Sequence, residues 1–372
     1  MTQTDVKHGT SIEWTHGSGF KGETWNPVTG CDRVSPGCAN CYALTLAPRL
    51  RRFALAQAAR HPDRPRGKWA DVGDGGKKSG PAFGVTLHPS VLEQPLHWRS
   101  PRMVFVNSMS DLFHEEVPDA FIYEVLKVVE SCPKHTFQVL TKRPARMREV
   151  MRGFYWMRAF DHNGPPLPNL WLGVSIENRS YLDRADLLRE TPAAVRFISA
   201  EPLLGPLLPL AHVVGERDAV GLPEFVWEDD KGGDCPGLDL TGIDWLIVGG
   251  ENGPGHRPMK VNWVRDLRDA VIAKREAWIE QQRLAGGKWG CGSDGALLTM
   301  TDPADLPWCA ENGYMDWRPS YLVVLPDGSQ PTDDTTRFFF KQDSGPRPGS
   351  RGRFVDEREW PQEMPMPSGV SG

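Results

Sequence analysis

Short apolar runs recur along the chain, and each ends in polar residues. Met103–Val106 leads into Asn107-Ser108-Met109-Ser110-Asp111, and Thr136–Leu140 into Thr141-Lys142-Arg143-Pro144. Leu170–Val174 leads into Ser175-Ile176-Glu177-Asn178, and Val195–Ile198 into Ser199-Ala200-Glu201-Pro202. Trp245–Val248 leads into Gly249-Gly250-Glu251-Asn252, and Phe338–Phe340 into Lys341-Gln342-Asp343. Runs without strict alternation of apolar and polar residues fit strands buried on both faces, as in parallel sheets.

Helical periodicity lies between several of these runs. Asp119–Glu130 follows Pro118 and sets Phe121, Ile122, Val125, Leu126 and Val129 at helical spacing. Arg179–Arg189 and Val261–Arg283 have the same character. Thr24–Val28 is expected to form a first strand and Tyr42–Ala58 the helix after the next loop. Alternating strands and helices predict an α/β fold with a helix-covered parallel sheet. Six or seven such units make a partial or complete (β/α) barrel, and an open doubly wound sheet is the competing architecture. Both would gather the polar strand ends at the carboxyl-terminal edge, where such folds place their sites.

Three segments interrupt the pattern. Residues 46–78 carry nine Lys/Arg and three Asp, a local excess of +6. Residues 211–242 carry eight Asp/Glu and two Lys/Arg, an excess of -6. Residues 284–334 are rich in Gly, Asp and Trp. The expected organisation is one barrel domain over 11–345, with insertions at about 211–242 and 284–334. The Pro/Gly-rich tail 346–372 is expected to have little regular structure.

Composition narrows the class. At 372 residues, 39% hydrophobic and 24% charged, the chain suits a folded soluble protein, and its net charge of -5 gives no global case for binding nucleic acid or membrane. No run reaches the roughly 18 apolar residues of a membrane helix, and the opening MTQTDVKHGTSIEW lacks the apolar core of a secretion signal. No membrane association and a cytoplasmic location are the expectation. The cysteine count is seven, an odd number with three bunched together, which argues against a disulfide framework.

The bunched cysteines, Cys31, Cys38 and Cys41, carry the strongest chemical signal. Three close thiolates can hold a soft metal, and three falls short of the four ligands of a closed zinc site. A cubane iron–sulfur cluster also normally takes four thiolates. Held by three, it keeps one iron open to a substrate or cofactor. Ligand type alone leaves an iron–sulfur cluster, zinc and a metal-free structural loop as alternatives. Cys132, Cys235, Cys291 and Cys309 read as small buried residues or idle thiols, and the spacing of Cys291 and Cys309 fits no standard metal pattern. His114, near a strand end, reads as a local hydrogen-bonding residue.

Thr24-Trp-Asn-Pro-Val-Thr-Gly-Cys31 followed by Val34-Ser-Pro-Gly-Cys38-Ala-Asn-Cys41-Tyr42 resembles a phage- and bacterium-borne family of uncharacterised function regarded as radical-SAM-like. Ser11-Ile-Glu-Trp-Thr15, Asn107–Phe113, Leu140–Pro144, Gly173–Asn178, Ser199–Pro206 and Phe340–Gln342 extend the resemblance over most of 11–345. It implies a barrel of the radical SAM type. Cys31, Cys38 and Cys41 would hold a 4Fe-4S cluster that cleaves S-adenosylmethionine (SAM) to a 5′-deoxyadenosyl radical. The usual signature has three residues between its first two cysteines and two between the last two; here the gaps are six and two.

By position, Asn107, Ser108, Ser110 and Asp111 are the candidates for the methionine amino group of SAM. Lys142 and Arg143 would meet its carboxylate or a substrate phosphate. Glu177, Asn178, Glu201 and Lys341 could hold a ribose hydroxyl or act as acid or base. Each carboxylate could equally be a helix cap or an ion-pair partner. Gly249-Gly250-Glu251 resembles a SAM-binding motif, but on a late strand. The implied partners are a reducing electron donor of the flavodoxin or ferredoxin type and, through the basic 46–78 stretch, DNA or RNA. The alternatives are a metal-stabilised nucleic-acid-binding protein without SAM chemistry, and a cluster-containing redox or repair protein.

Overall fold

A computed structural model of the chain describes residues 9–10, 12–15, 20–77, 79–160, 166–208, 210–217, 223–228, 237–284, 288–290, 299–300, 322–324, 337–342, 354–355 and 358–359. Cys235, Cys291, Cys309 and Ser11 lie outside the described residues, as do most of the 284–334 insertion and most of the tail.

Seven strands form one sheet: β1 (Lys21–Trp25), β2 (Arg102–Val106), β3 (Thr136–Thr141), β4 (Leu170–Ser175), β5 (Val195–Ala200), β6 (Trp245–Gly249) and β7 (Arg337–Gln342). They are hydrogen-bonded in sequence order, and each neighbouring pair is parallel. A doubly wound sheet reverses its strand order at a switch point and carries helices on both faces. Among the described residues, this sheet does neither.

Alternate strand residues divide between two cores. Val104, Val106, Phe137, Val139, Leu172, Val174, Ile198, Leu246 and Val248 pack with residues of α2 (Asp119–Glu130), α3 (Pro144–Phe160), α4 (Asp183–Arg189) and α5 (Val261–Leu284). Met103, Phe105, Trp171, Phe197, Trp245, Ile247 and Phe339 face the other way, into a cluster closed by Trp14. One face therefore takes these helices and the other curls around aromatic rings. The fold is a partial β/α barrel, a curled half-barrel of parallel strands. Gly173 permits the tight part of this inner packing, because a Cβ there would lie 2.4 Å from the Phe197 ring.

Two local expectations are corrected. The first strand occupies Lys21–Trp25, earlier than Thr24–Val28. Pro27 has no N–H to continue the ladder, so Val28–Thr29 leaves the sheet and pairs antiparallel with Thr86–Leu87. The polar start of β1 is held by the Glu23–Arg102 ion pair across to β2. Helix α3 was not anticipated, because its many arginines mask a buried stripe of Met147, Val150, Met151 and Phe154. The acidic 211–242 segment includes an antiparallel hairpin, Leu210–Arg217 with Pro223–Glu228, apart from the main sheet.

Helix α1 (Tyr42–Arg60) behaves differently from the other helices. Its buried residues Ala43 and Ala47 join Phe83 and Met109 in a small separate cluster, and Cys31 and Cys41 pack against that cluster. The helix thus packs beside the cysteine loop at the carboxyl-terminal mouth of the strands. Among the described residues, no helix is long and apolar enough to cross a membrane.

Candidate metal centre at the mouth of the half-barrel

The loops after β1 and β2 are stitched together by side-chain amides. Asn26 Oδ1 accepts from the Met109 N–H at 3.1 Å and from the Ser108 hydroxyl at 3.2 Å. Asn107 Oδ1 accepts from the Val28 N–H at 3.2 Å, with Asn107 itself at φ 59°. The Ser110 hydroxyl donates to the Val28 carbonyl at 2.8 Å, and the Tyr42 hydroxyl donates to the Ser108 carbonyl. Ser108 and Ser110 thus hold the start of the cysteine loop.

Asp111 is the hub between β2, β3 and Cys31. Its oxygens accept from the Thr141 hydroxyl at 2.7 and 2.9 Å, the Phe113 N–H at 3.0 Å and the Lys142 N–H at 3.1 Å. The Arg143 guanidinium lies 3.2 Å from the same carboxylate and 3.4 Å from the Cys31 sulfur. This carboxylate is already saturated by the protein's own donors.

Glu177, after β4, is buried and ion-paired with Arg184 at 3.1 Å. Its other oxygen accepts from the Gly37 N–H at 3.3 Å, inside the cysteine loop. A Cβ at Gly37 would lie 3.2 Å from the Glu177 carboxyl carbon and 3.5 Å from Lys142 Cε, so the loop rests directly on both side chains. The Lys142 ammonium has no hydrogen-bond or ion-pair partner among the described residues. An open cavity of about 380 Å³ at this rim is lined by Glu115, Lys142, Arg143, Tyr181, Asp183 and Arg184, among others. Glu201 lies elsewhere. It pairs with Lys341 at 2.6 Å across β5 and β7, and the Lys341 ammonium sits 4.7 Å from the Trp14 ring centre.

Glu251 reaches the cysteine loop from the other side. It accepts from Asn40 Nδ2 at 2.9 Å, and from the Arg257 N–H and Nε at 2.8 and 2.9 Å. Arg257 in turn donates to the Pro36 carbonyl at 3.0 Å, and Asn40 to the Gly255 carbonyl at 3.1 Å. The Gly249-Gly250-Glu251 turn therefore clamps the loop, and Arg257 holds the Glu251 carboxyl below its usual range, against the opposing effect of burial.

Electrostatics around the sulfurs are uneven. Burial pushes the Cys31 thiol up to about 12; the Asp111 carboxylate adds to this and Arg143 opposes it. Burial also raises the Cys41 thiol, against the Ala43 N–H and the Lys142 charge. A bound cation is what would convert such thiols to thiolates. Among the described residues, no three His, Cys, Asp or Glu side chains are drawn into a ready metal-binding group. The donor set fits a soft metal centre by its chemistry: three thiols on one loop, with Asp111, Glu177 and Glu251 committed to other partners. His114 is the local hydrogen-bonding residue expected, its Nδ1 accepting from the Glu116 N–H at 3.1 Å, while its Nε2 lies 3.5 Å from Asp32 beside Cys31.

The family described as "Protein of unknown function (DUF5131)" matches residues 9–365. The chain belongs to this family. The match runs past residue 345 and takes in the small hairpin Phe354–Val355 with Arg358–Glu359. No curated protein and no solved structure matches this DUF5131 chain. Asn26, Asn40, Arg184 and Arg257, which position the cysteine loop, were missed from the sequence. For Asn26 a signal existed in Asn26-Pro27, a pair that favours a turn. Arg184 and Arg257 pair with Glu177 and Glu251 seven and six residues before them in the same connections, spacings that no helix, strand or turn rule links, and the Pro36 carbonyl that Arg257 also meets is 221 positions away.

Proposed function

We propose that this protein is an iron–sulfur enzyme that cleaves SAM reductively and acts on a nucleic acid or nucleotide. Cys31, Cys38 and Cys41 would hold a 4Fe-4S cluster, and an electron donor of the flavodoxin or ferredoxin type would reduce it. The observation that carries the reading is a three-thiol loop at the carboxyl-terminal mouth of a parallel half-barrel, fastened on three sides by Asp111–Arg143, Glu177 and Glu251–Arg257. Such a cluster, when bound, supplies the electron that splits SAM into methionine and a 5′-deoxyadenosyl radical.

The chain's own residues have distinct parts in this scheme. Arg143 keeps a positive charge against Cys31, which favours its thiolate. The Lys142 ammonium, beside Gly37 and Cys41 and without an ion pair among the described residues, is the group suited to the SAM carboxylate. Ser108, Ser110 and Asp111 hold the loop, since their polar atoms are taken up within the protein. Glu201 and Lys341 face each other near Trp14, and the aromatic cluster below them excludes water from the base of the half-barrel.

Anaerobic reconstitution of the full chain with iron and sulfide tests the proposal. About four irons and four sulfides per chain are expected for a cubane, with dithionite- and SAM-dependent release of 5′-deoxyadenosine. Cys31→Ala, Cys38→Ala and Cys41→Ala should each lose the iron. Lys142→Ala should keep the iron and weaken SAM binding. Stoichiometric zinc from iron-replete anaerobic preparations would sink the proposal.

A further inference from the structure

Helix α1 carries an exposed face that the sheet does not use. Tyr42, Leu46, Arg49, Phe53, Ala56 and Arg60 recur at alternating spacings of four and three residues, so they form one stripe, and all six are exposed. Phe53 is 64% exposed and Tyr42 56%. Arg52 lies beside the stripe and is also exposed. The helix contains no Asp or Glu. Of its four arginines, only Arg51 has an ion-pair partner among the described residues, namely Asp74. Arg64 and Arg66 continue the exposed positive charge past the helix end. No ion pair among the described residues joins this surface to the acidic 211–242 segment.

We propose that this stripe seats a single-stranded nucleic acid and leads it to the mouth of the half-barrel, a reading that rests on the proposed function and names the form of its substrate. Arginines alternating with exposed rings are what a single strand requires: phosphates meet guanidinium groups while bases stack on aromatic faces. The stripe spans about 27 Å of helix, and its first residue directly follows Cys41. A helical protein partner suits it less well. Arg49 and Arg60 occupy seam positions, so a helix–helix seam would bury guanidinium groups without partners, and Ala56 between them offers little apolar area in return.

The test uses the full-length chain and fluorescence anisotropy with labelled dT12 and U12 single strands, a duplex of equal length, and polyglutamate as competitor. With three arginine–phosphate contacts on a single strand, the salt slope should be about -2, or about a 20-fold loss of affinity from 50 to 200 mM salt. Phe53→Ala should weaken binding about tenfold. Arg49→Gln with Arg52→Gln should weaken it and flatten the salt slope by about 1.4, whereas Arg49→Lys with Arg52→Lys should retain most of it. Thermal unfolding and iron content of the same preparations separate loss of the surface from loss of fold or cluster. Single-strand binding that these variants leave unchanged would overturn the proposal. So would a preference for duplex, or polyglutamate or anionic vesicles competing as well as oligonucleotide. If strands bind as expected but no 5′-deoxyadenosine forms, the radical reading fails and this surface stands. If 5′-deoxyadenosine forms but no strand binds, the reverse holds.

Discussion

Asp111 separates two accounts of the polar strand ends: a carboxylate reserved for a ligand, or one that fastens the cysteine loop. Its side chain and that of Arg143 are each only 8% exposed. Asp111→Ala would remove the acceptor for the Thr141 hydroxyl, for the N–H groups of Phe113 and Lys142, and for the Arg143 guanidinium. It would leave that guanidinium buried and paired with nothing but a thiol. Removing one partner of a buried pair costs about 3–5 kcal/mol, against about 1 kcal/mol or less for an exposed pair. Asp111→Asn keeps one acceptor oxygen and loses the charge, so about half that loss is expected.

Urea unfolding of the full chain, followed by tryptophan fluorescence, gives the measurement. At a slope of about 3 kcal/mol/M, the alanine variant should shift the midpoint down by about 1–1.7 M with the slope unchanged. Adding Arg143→Met removes the stranded charge, so the double variant should recover about 2 kcal/mol relative to the sum of the singles. A loss below about 1 kcal/mol for Asp111→Ala, with no coupling to Arg143, would refute the fastening role and return the carboxylate to the list of ligand groups.

Two further outcomes follow from the same geometry. Arg257→Ala strips the guanidinium from a Glu251 side chain that is only 4% exposed, so amide hydrogen exchange should quicken at residues 36–41 and 251–257 and stay unchanged in β3 and β4; a uniform change, or none, would contradict the clamp. His88 and His135 are both buried and held down to about 4, burial being the largest cause for each. Their neutral forms are favoured on folding, so their contribution is fully present above the unfolded-state value of about 6.5 and is lost as the pH falls toward 4. Unfolding free energy should drop over that window by on the order of 3 kcal/mol per histidine, and the drop should shrink in the His88→Gln, His135→Gln double variant; an undiminished drop would count against this cause.

Much of the architecture was legible in the chain because burial on both faces leaves a continuous apolar run. All six runs from Met103 to Phe340 are strands, and the helices at Asp119, Asp183 and Val261 lie where periodicity put them. β1 was read three residues late because it opens on the polar Lys21-Gly22-Glu23, and α3 escaped because its arginines mask the buried stripe of Met147, Val150, Met151 and Phe154.

The three cysteines and the polar strand ends were visible as residues, and a parallel sheet required those ends to share one edge. The sequence by itself therefore determined the strand runs, the parallel class and the place of the cysteine loop at the strand mouth. Tertiary structure alone decided the sequential strand order with helices on one face, which makes the sheet a half-barrel. It also decided that Asp111, Glu177 and Glu251 are spent on Arg143, Arg184 and Arg257, while Lys142 is left without an ion pair among the described residues. The physical reason is range. Periodicity and turn chemistry act over a few residues, whereas a carboxylate is committed by whichever donor the folded chain brings within about 3 Å, and for Asp111 and Cys31 that donor is more than 30 positions away.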